Sequence, residues 1–128
     1  MIYRITVTVT APVNPTEDPD RVKTALQNLF PNASLIEEPE TITGTTHSID
    51  AFVEKLTEQG IMETARDEFY ENRTPSGFSF GLKKQAAFMD TINFAVGNED
   101  ELGDITVTVS VDEPTVDAFI DELQSIAP

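Results

Sequence analysis

The stretch Ile2–Ala11, IYRITVTVTA, alternates apolar and polar side chains along its length. Successive side chains of a β-strand point to opposite faces, so its apolar members share one face. Those residues are Tyr3, Ile5, Val7 and Val9. The opposite face is mostly threonine, which predicts a sheet with one buried face and one face open to solvent or to a partner.

The same five letters, ITVTV, occur twice, at Ile5–Val9 and at Ile105–Val109. Each copy precedes an acidic segment in which a proline, Pro19 or Pro114, begins an amphipathic helix. A duplicated β-α unit would explain this repeated sequence. A Thr-rich composition would also explain it without any duplication. Under either explanation we expect both strands to lie in one sheet.

Three segments carry apolar residues at the i, i+3, i+4, i+7 spacing of a helix with one buried stripe. The stripes are Val22, Ala25, Leu26 and Leu29, then Ile49, Phe52, Val53 and Leu56, and finally Val116, Phe119, Ile120 and Leu123. Asp18 and Ser48 are the expected N-caps of the first two helices. After Gly60, which either ends the second helix or kinks it, Ile61, Ala65 and Phe69 continue a helical face to about Glu71.

Further strands are expected over residues 33–38, 41–46, 77–82, 91–96 and 104–111, with an acidic turn over 97–103. Pro31 is expected to end the first helix. Together these elements predict the α+β fold class, with a mostly antiparallel sheet and helices packed on one face as a two-layer sandwich. A length of 128 residues fits a single domain, 1–128.

Charge is the unusual feature of the composition. The chain has 23 Asp and Glu against 8 Lys and Arg, a formal net charge of −15. Such self-repulsion opposes compactness in dilute buffer, but in molar salt the Debye length falls to about 3 Å and screens it. We therefore expect a protein of a halophilic, salty cytoplasm. The alternative is an acidic protein that binds a basic partner, although its carboxylates are spread along the chain rather than gathered in a tail.

The absence of cysteine excludes disulfides and thiolate metal sites. The first residues, MIYRITVTVT, have neither a basic nor an apolar targeting region, and no window approaches the roughly 18 apolar residues of a membrane helix. A cytoplasmic protein is expected.

Catalytic chemistry has few candidates. His47 is the one histidine, in a turn rich in Thr and Ser, and a zinc site needs several His or Cys ligands. Residues 77–81, GFSFG, lack the GK[ST] ending of a phosphate-binding loop. Carboxylate pairs are too common here to indicate a site, and the run Asn98–Glu101 is interpreted as a solvated turn. We expect a non-enzyme without a cofactor or metal.

Residues 72–89, NRTPSGFSFGLKKQAAFM, form the longest stretch without an acid. They include three of the cations, Arg73, Lys83 and Lys84. These either contact phosphates or make local salt bridges. As a strand, this segment puts its rings on one face, opposite a small-residue face that ends in Lys83 and would let a phosphate backbone approach closely.

The rings of Phe78 and Phe80, at i and i+2 on this strand, allow two interpretations. They either stack on bases of single-stranded RNA or, with Leu82, form the core face. The sequence alone favours the core face.

Several motifs, taken in their order along the chain, resemble those of a small, uncharacterised archaeal protein family. They are Pro15–Asp18 leading into Asp20–Lys23, Thr64–Arg66, Leu82–Ala87, Leu102–Ile105 and the closing Ile126–Pro128. The resemblance covers essentially the whole chain, and Lys-Gln-Ala-Ala at 84–87 is its most specific part. It implies an α+β domain similar to the ribosomal protein that binds 5S rRNA, labelled predicted RNA-binding, and related to a proposed RNA-binding subunit of the archaeal exosome.

The resemblance also implies candidate functional positions at Arg66, Lys84 and Gln85, whereas Arg73 and Lys83 follow from the charge pattern. One departure is that Lys83 stands where the family pattern has Asn, which adds a cation and alters a possible hydrogen bond.

The leading hypothesis is a non-catalytic RNA-binding protein, in RNA processing or associated with ribosomes. Arg73, Lys83 and Lys84 would contact phosphates, Gln85 a base or sugar edge, and Arg66 would support the site from its helix. A protein-interaction or homodimerisation module, with residues 72–89 at the subunit interface, is the alternative. A small carboxylate-dependent enzyme using Mg²⁺ is the third.

Overall fold

A computed structural model describes residues 3–95 and 103–123. The strands are β1 (Arg4–Pro12), β2 (Ser34–Glu37), β3 (Thr41–Thr46), β4 (Arg73–Thr74), β5 (Gly77–Lys83) and β6 (Asp104–Glu113). The helices are α1 (Pro19–Leu29), α2 (Asp50–Gln59), α3 (Met62–Glu71), α4 (Lys84–Phe88) and α5 (Val116–Asp121). The predicted α+β class with a largely antiparallel sheet is confirmed.

The strands form one antiparallel sheet in the order β2-β3-β1-β6-β5-β4. Its two central strands are β1 and β6, the first and last strands among the described residues, and they carry the two ITVTV copies. Val7 lies opposite Val109, and Thr8 lies opposite Thr108. Both copies therefore lie in one sheet, as expected, and they are hydrogen-bonded neighbours.

The alternation along each strand separates a buried face from an open one. On β1 and β6 the buried side chains are Ile5, Val7, Val9, Ala11, Ile105, Val107, Val109 and Val111. The apolar stripes of α1, α2 and α5 are buried against them, as the helical spacing predicts. Helices and core thus occupy one side of the sheet, which is the predicted two-layer arrangement.

Rows of short hydroxyl side chains cover the opposite side of the sheet, which we call the open face. The middle row crosses five strands through Ser34, Thr45, Thr8, Thr108 and Ser79. A second row runs through Ile36, Thr43, Thr10, Thr106 and Gly81. Neither row contains a charged residue. Lys83 and Asp104, which lie opposite each other on β5 and β6, are on the same face beyond the second row.

Helix ends follow the local sequence at some places only. Pro114 does not begin the last helix, because α5 starts at Val116 and is capped by Thr115. Asp18 caps α1 by accepting a hydrogen bond from the Asp20 amide at 3.0 Å, and Gly60 ends α2 with a left-handed φ of 70°. The prediction for Ser48 is wrong: the cap position of α2 is Ile49, which makes no side-chain cap hydrogen bond. Ser48 Oγ only accepts from the Asp50 amide, at 3.4 Å.

The largest departure from prediction lies after β5. A strand was predicted over residues 91–96, of which residue 96 lies outside the described residues. Residues 91–95 make only one bridge, between Leu82 and Phe94. The preceding residues form α4, too short to carry a periodic apolar signal. The hairpin partner β4 was also unforeseen. The predicted acidic turn falls on residues 97–103, which lie outside the described residues except for Gly103.

The start of β1 is tied to α2 by Tyr3, whose hydroxyl donates a hydrogen bond to Asp50 Oδ1 at 2.8 Å. Its ring also packs edge-on against Phe119, with centroids 5.5 Å apart. Burial, followed by the hydrogen bond to Asp50 and the negative charge of that carboxylate, raises the pKa of the Tyr3 hydroxyl to about 12. The folded state therefore favours the protonated phenol.

Gly44 gives a direct test of the packing between β2 and β3. A Cβ at this position would lie 2.7 Å from Leu35 Cδ2 and 2.9 Å from Val9 Cγ2. Gly44→Ala should lower the free energy of unfolding by about 1–3 kcal/mol, because the core must shift to admit the methyl group. Gly81→Ala is the matched control, since its Cβ would have no neighbour closer than 3.4 Å. Denaturant unfolding in fixed KCl should separate the two, and equal losses would contradict this packing.

Tyr3 predicts how stability depends on alkaline pH. Its folded pKa, about 12, lies above the ordinary value of 10.0 for the unfolded chain. The stabilising contribution is therefore fully present below pH 10 and is lost as pH rises through 12. Tyr3→Phe should remove this part of the pH dependence between those values. Tyrosinate absorbance and unfolding curves would measure it, and a Tyr3 ionisation near pH 10 would contradict it.

Candidate nucleic-acid interface

The structure separates the five predicted site residues into two groups. Arg73 lies opposite Phe78 at the start of β5, whereas Lys83 is the last residue of that strand. Phe78 and Lys83 are five residues apart on β5, and at about 3.3 Å per residue this separates the two groups by roughly 17 Å. A single compact cationic cluster is therefore not formed.

Arg66 and Arg73 belong to the group beside α5. Arg66 donates a hydrogen bond from Nη2 to the backbone carbonyl of Asp121 at 2.9 Å. Arg73 lies with Cζ 5.1 Å from the ring centroid of Tyr70 and with Nε 3.5 Å from Asp117 Oδ1. Both arginines thus contact α5, and the Arg73 side chain remains 47% exposed.

Lys84 is fully buried, which corrects the expectation that it contacts phosphate. Its ammonium donates to the Pro12 carbonyl at 2.6 Å and to Glu17 Oε1 at 2.9 Å. The same carboxylate oxygen accepts from the Asn14 amide at 3.0 Å. Since the Glu17 side chain is only 8% exposed, this is a buried ion pair that ties α4 to the turn before α1.

This ion pair joins two segments that the sequence resemblance had marked independently. Glu17 lies within Pro15–Asp18, and Lys84 lies within Leu82–Ala87, 67 positions further along. The contact between them was not predicted, because spacing along the chain carries no signal for a pairing over that distance. It gives the Lys-Gln-Ala-Ala element a structural role.

Lys83 and Gln85, on either side of Lys84, are the accessible members of the second group. Lys83 is half-buried, on the open face opposite Asp104, and Gln85 is exposed on α4. Because Lys84 is held inside, its two neighbours face outward at the junction of β5 and α4. Ser79 and Gly81 precede Lys83 on the same face, as the alternation predicted.

Phe78 and Phe80 do not form a base-stacking platform. They are 2% and 4% exposed, and both rings pack against Phe69, with centroids 4.6 and 4.7 Å from it. The core interpretation of these rings is confirmed. The aromatic side chain of the acid-free stretch that does reach the surface is Phe88, which packs beside Arg21 of α1, a pairing that sequence reasoning missed.

Within residues 3–95 and 103–123, no group of three or more His, Asp or Glu side chains is arranged to hold a metal ion. Over the same residues, no helix combines the length and apolar character that a bilayer crossing requires. His47, in the predicted turn, contacts the Ile5 carbonyl through Nδ1 at 3.1 Å.

The fold and this surface define an α+β domain with helices on one side of an antiparallel sheet and, on the other, a hydroxyl-rich face with two uncharged rows. A family model described as RNA binding matches residues 6–111. The chain belongs to this family.

Sequence relatives are archaeal. The UPF0201 protein of Methanopyrus kandleri is 36% identical over 138 residues, covering 96% of this chain and 85% of that protein. The UPF0201 protein of Methanocaldococcus jannaschii is 37% identical over 112 residues, covering 84% of this chain. The chain spans 64% of that relative and only 36% of a UPF0200/UPF0201 protein of Archaeoglobus fulgidus, which is 33% identical over 118 residues.

Solved structures agree with the fold. A crystal structure of the UPF0201 protein from Methanococcus jannaschii superposes with a TM-score of 0.85 at 34% identity, covering 93% of this chain and 92% of that one. A DUF54 protein from Methanothermobacter thermautotrophicus has the same fold at 20% identity, with a TM-score of 0.64 and 98% of each chain covered.

The neighbouring lysines give a matched test of the buried ion pair. Lys84→Met should lower the free energy of unfolding by about 3–5 kcal/mol, because the Glu17 carboxylate would stay buried without its counter-charge. Lys83→Met, on the surface, should cost less than about 1 kcal/mol. Glu17→Gln/Lys84→Met should recover part of the loss. Denaturant unfolding measures all three, and equal effects of the two lysine substitutions would refute the assignment.

Proposed function

We propose that this protein binds RNA without catalysing a reaction, and that the open face of its sheet is the surface that contacts the RNA backbone. The observation that carries the proposal is the middle row of hydroxyl side chains across five strands, with no carboxylate among them. Asp104 lies at one end of the open face, but the two rows across its middle contain no acid. In a chain of net charge −15, those rows are where a polyanion can approach with least repulsion.

Hydroxyl groups suit this task in a salty cytoplasm, the setting that the acidic composition favours. Thr and Ser side chains hydrogen-bond to phosphate and sugar oxygens and carry no sequence preference of their own. Contacts made by Lys and Arg draw much of their strength from counterion release, which fades as salt rises. Neutral hydrogen bonds lose less under those conditions, so a Thr-rich face is the appropriate chemistry at molar KCl.

The five site residues take different parts in this proposal. Lys83 contacts a phosphate at the edge of the open face, and Gln85 contacts a sugar or base edge beyond it. Lys84 acts through its ion pair with Glu17, which holds Lys83 and Gln85 outward. Arg73, opposite the start of β5, contacts a more distant part of the same RNA, and Arg66 supports that part of the site from α3. A role in RNA processing or beside the ribosome follows from the resemblance described above.

A charge placed in the middle of the open face tests the proposal. Thr108→Glu should weaken RNA binding at least about tenfold, because the new carboxylate would face phosphates in a partly dehydrated contact. Fluorescence anisotropy with labelled ribosomal RNA fragments in 2 M KCl is the measurement. Lys83→Ala should weaken binding by only a few-fold at that salt.

Thr57→Glu is the matched control, because it adds the same charge at an exposed position of α2, a helix that carries none of the proposed contacts. It should bind RNA as the unmodified protein does. If Thr108→Glu and Thr57→Glu bind equally well, the open face is not the RNA surface. If the unmodified protein binds none of these RNAs in 0.2 or 2 M KCl, the RNA-binding function itself is wrong.

Self-association through the open face is a second candidate function. The observation that favours it is Ile36, a large apolar residue of edge strand β2 that is 64% exposed and ends one of the two uncharged rows. Two acidic chains would pack with least repulsion through such a surface. Sedimentation analysis of the unmodified protein and of Thr108→Glu separates the candidates: a dimer that Thr108→Glu dissociates, without any RNA binding, selects self-association.

A further inference from the structure

A small cavity lies where the start of α1 meets α4, away from the open face. Its volume is about 290 Å³, and its walls are Thr16, Glu17, Asp18, Arg21 and Phe88. It combines an aromatic ring, a guanidinium group, a hydroxyl group and carboxylate oxygens. This mixture of one flat apolar surface and a few polar groups is characteristic of sites for small planar ligands.

Phe88 and Arg21 supply the planar surfaces. Phe88 is half-buried, so part of its ring is accessible, and Arg21 Cζ lies 5.4 Å from the ring centroid. Unpaired nucleobases stack on aromatic rings and on guanidinium planes alike. The pair therefore offers a stacking surface, which the buried rings of Phe78 and Phe80 cannot do.

Glu17, one of the residues that line the cavity, holds a buried acceptor atom. Its Oε1 atom accepts from Lys84 and from the Asn14 amide. Its Oε2 atom is buried and has no hydrogen-bond partner among the described residues. A buried acceptor without a donor costs free energy, so a ligand that brings an N–H group to this oxygen would relieve that cost.

The position of the cavity links it to the proposed RNA surface. Only the five residues of α4, about 7 Å of helix, separate Lys83 at the edge of the open face from the cavity wall at Phe88. A nucleotide strand that passes Lys83 can therefore turn a base toward α1. Because Glu17 and Asp18 lie in the walls, a neutral base is accepted there more readily than a phosphate.

We propose that this cavity binds one unpaired nucleobase that carries an exocyclic amine, stacked on Phe88 and Arg21 with the amine directed to Glu17. This inference rests on the proposed RNA-binding function and deepens it. An exocyclic amine projects from its ring and can reach a recessed oxygen. The imino N–H of uracil does not project, and it is flanked by carbonyl oxygens that would face the carboxylate.

A comparison of cytosine with uracil tests the role of the amine. The two bases have similar rings, but cytosine carries an exocyclic amine where uracil carries a carbonyl. Labelled cytidine and uridine dodecamers are titrated with the unmodified protein in 2 M KCl. The cytidine strand should bind at least about fivefold more tightly, since uracil leaves the Glu17 oxygen without a donor. Equal affinity, or a preference for the uridine strand, would overturn the proposal.

Variants of the stacking pair test the site itself. Phe88→Ala should weaken binding of the cytidine strand about tenfold, in the range found when a stacked aromatic is removed. Phe88→Leu keeps apolar volume without a ring and should also weaken it. Arg21→Ala should weaken binding of the cytidine strand. Lys23→Ala removes the same charge from the same helix and should leave this binding unchanged. Circular dichroism confirms that each variant is folded.

The outcomes separate this inference from the proposed function. If Phe88→Leu and Arg21→Ala are folded and bind the cytidine strand as tightly as the unmodified protein, the cavity is not a base site, and RNA binding through the open face stands. If the unmodified protein binds neither dodecamer nor the ribosomal fragments, both proposals fall. Mass spectrometry of a crosslinked complex with the cytidine strand provides a further check. Protection of Phe88 and Arg21 in that complex would support the site.

Discussion

The antiparallel pairing of β1 with β6 is the constraint on which the rest of the structure depends. Val7 and Val109 face the helices from adjacent central strands, while Thr8 and Thr108 face the other way. A slip of one residue in this register would turn the valines to solvent and the threonines into the core. The same alternation therefore creates both the hydrophobic core and the hydroxyl-rich open face with its two uncharged rows.

A second constraint is the buried pair of Glu17 and Lys84, which acts over a long stretch of chain. It orders the turn before α1 and the start of α4 together, and it leaves Lys83 and Gln85 on the outside. Removing one partner of a buried pair is costly even where the intact pair adds little. We therefore interpret the main role of this pair as positioning Lys83 and Gln85. It does so where the open face and the cavity of Arg21 and Phe88 approach each other.

The sequence predicted the parts of the fold that depend on periodic patterns. The alternation in β1 and β6, the stripes of α1, α2 and α5, and the Asp18 cap are local signals, and all appear in the structure. Five-residue α4 and two-residue β4 are too short to show a repeating apolar pattern and were missed. For the site, residues 72–89 were predicted to form one cationic surface because the segment itself contains no acid. The sequence does not show which acids from distant segments pack against it. Folding brings Glu17 to Lys84 and Asp117 to Arg73, and distance along the chain conceals both contacts.

The measurement that tests the central claim most directly is a methyl NMR titration of threonine-labelled protein with ribosomal RNA fragments in molar KCl. Threonines report from both sides of the molecule: Thr8, Thr10, Thr43, Thr45, Thr106 and Thr108 lie on the open face, and Thr57 lies on α2, a helix that carries none of the proposed contacts. If the open face contacts RNA, the open-face threonines should shift in a saturable way while Thr57 stays in place. A shift of Thr57 without the open-face threonines, or no shift at all, would contradict the account.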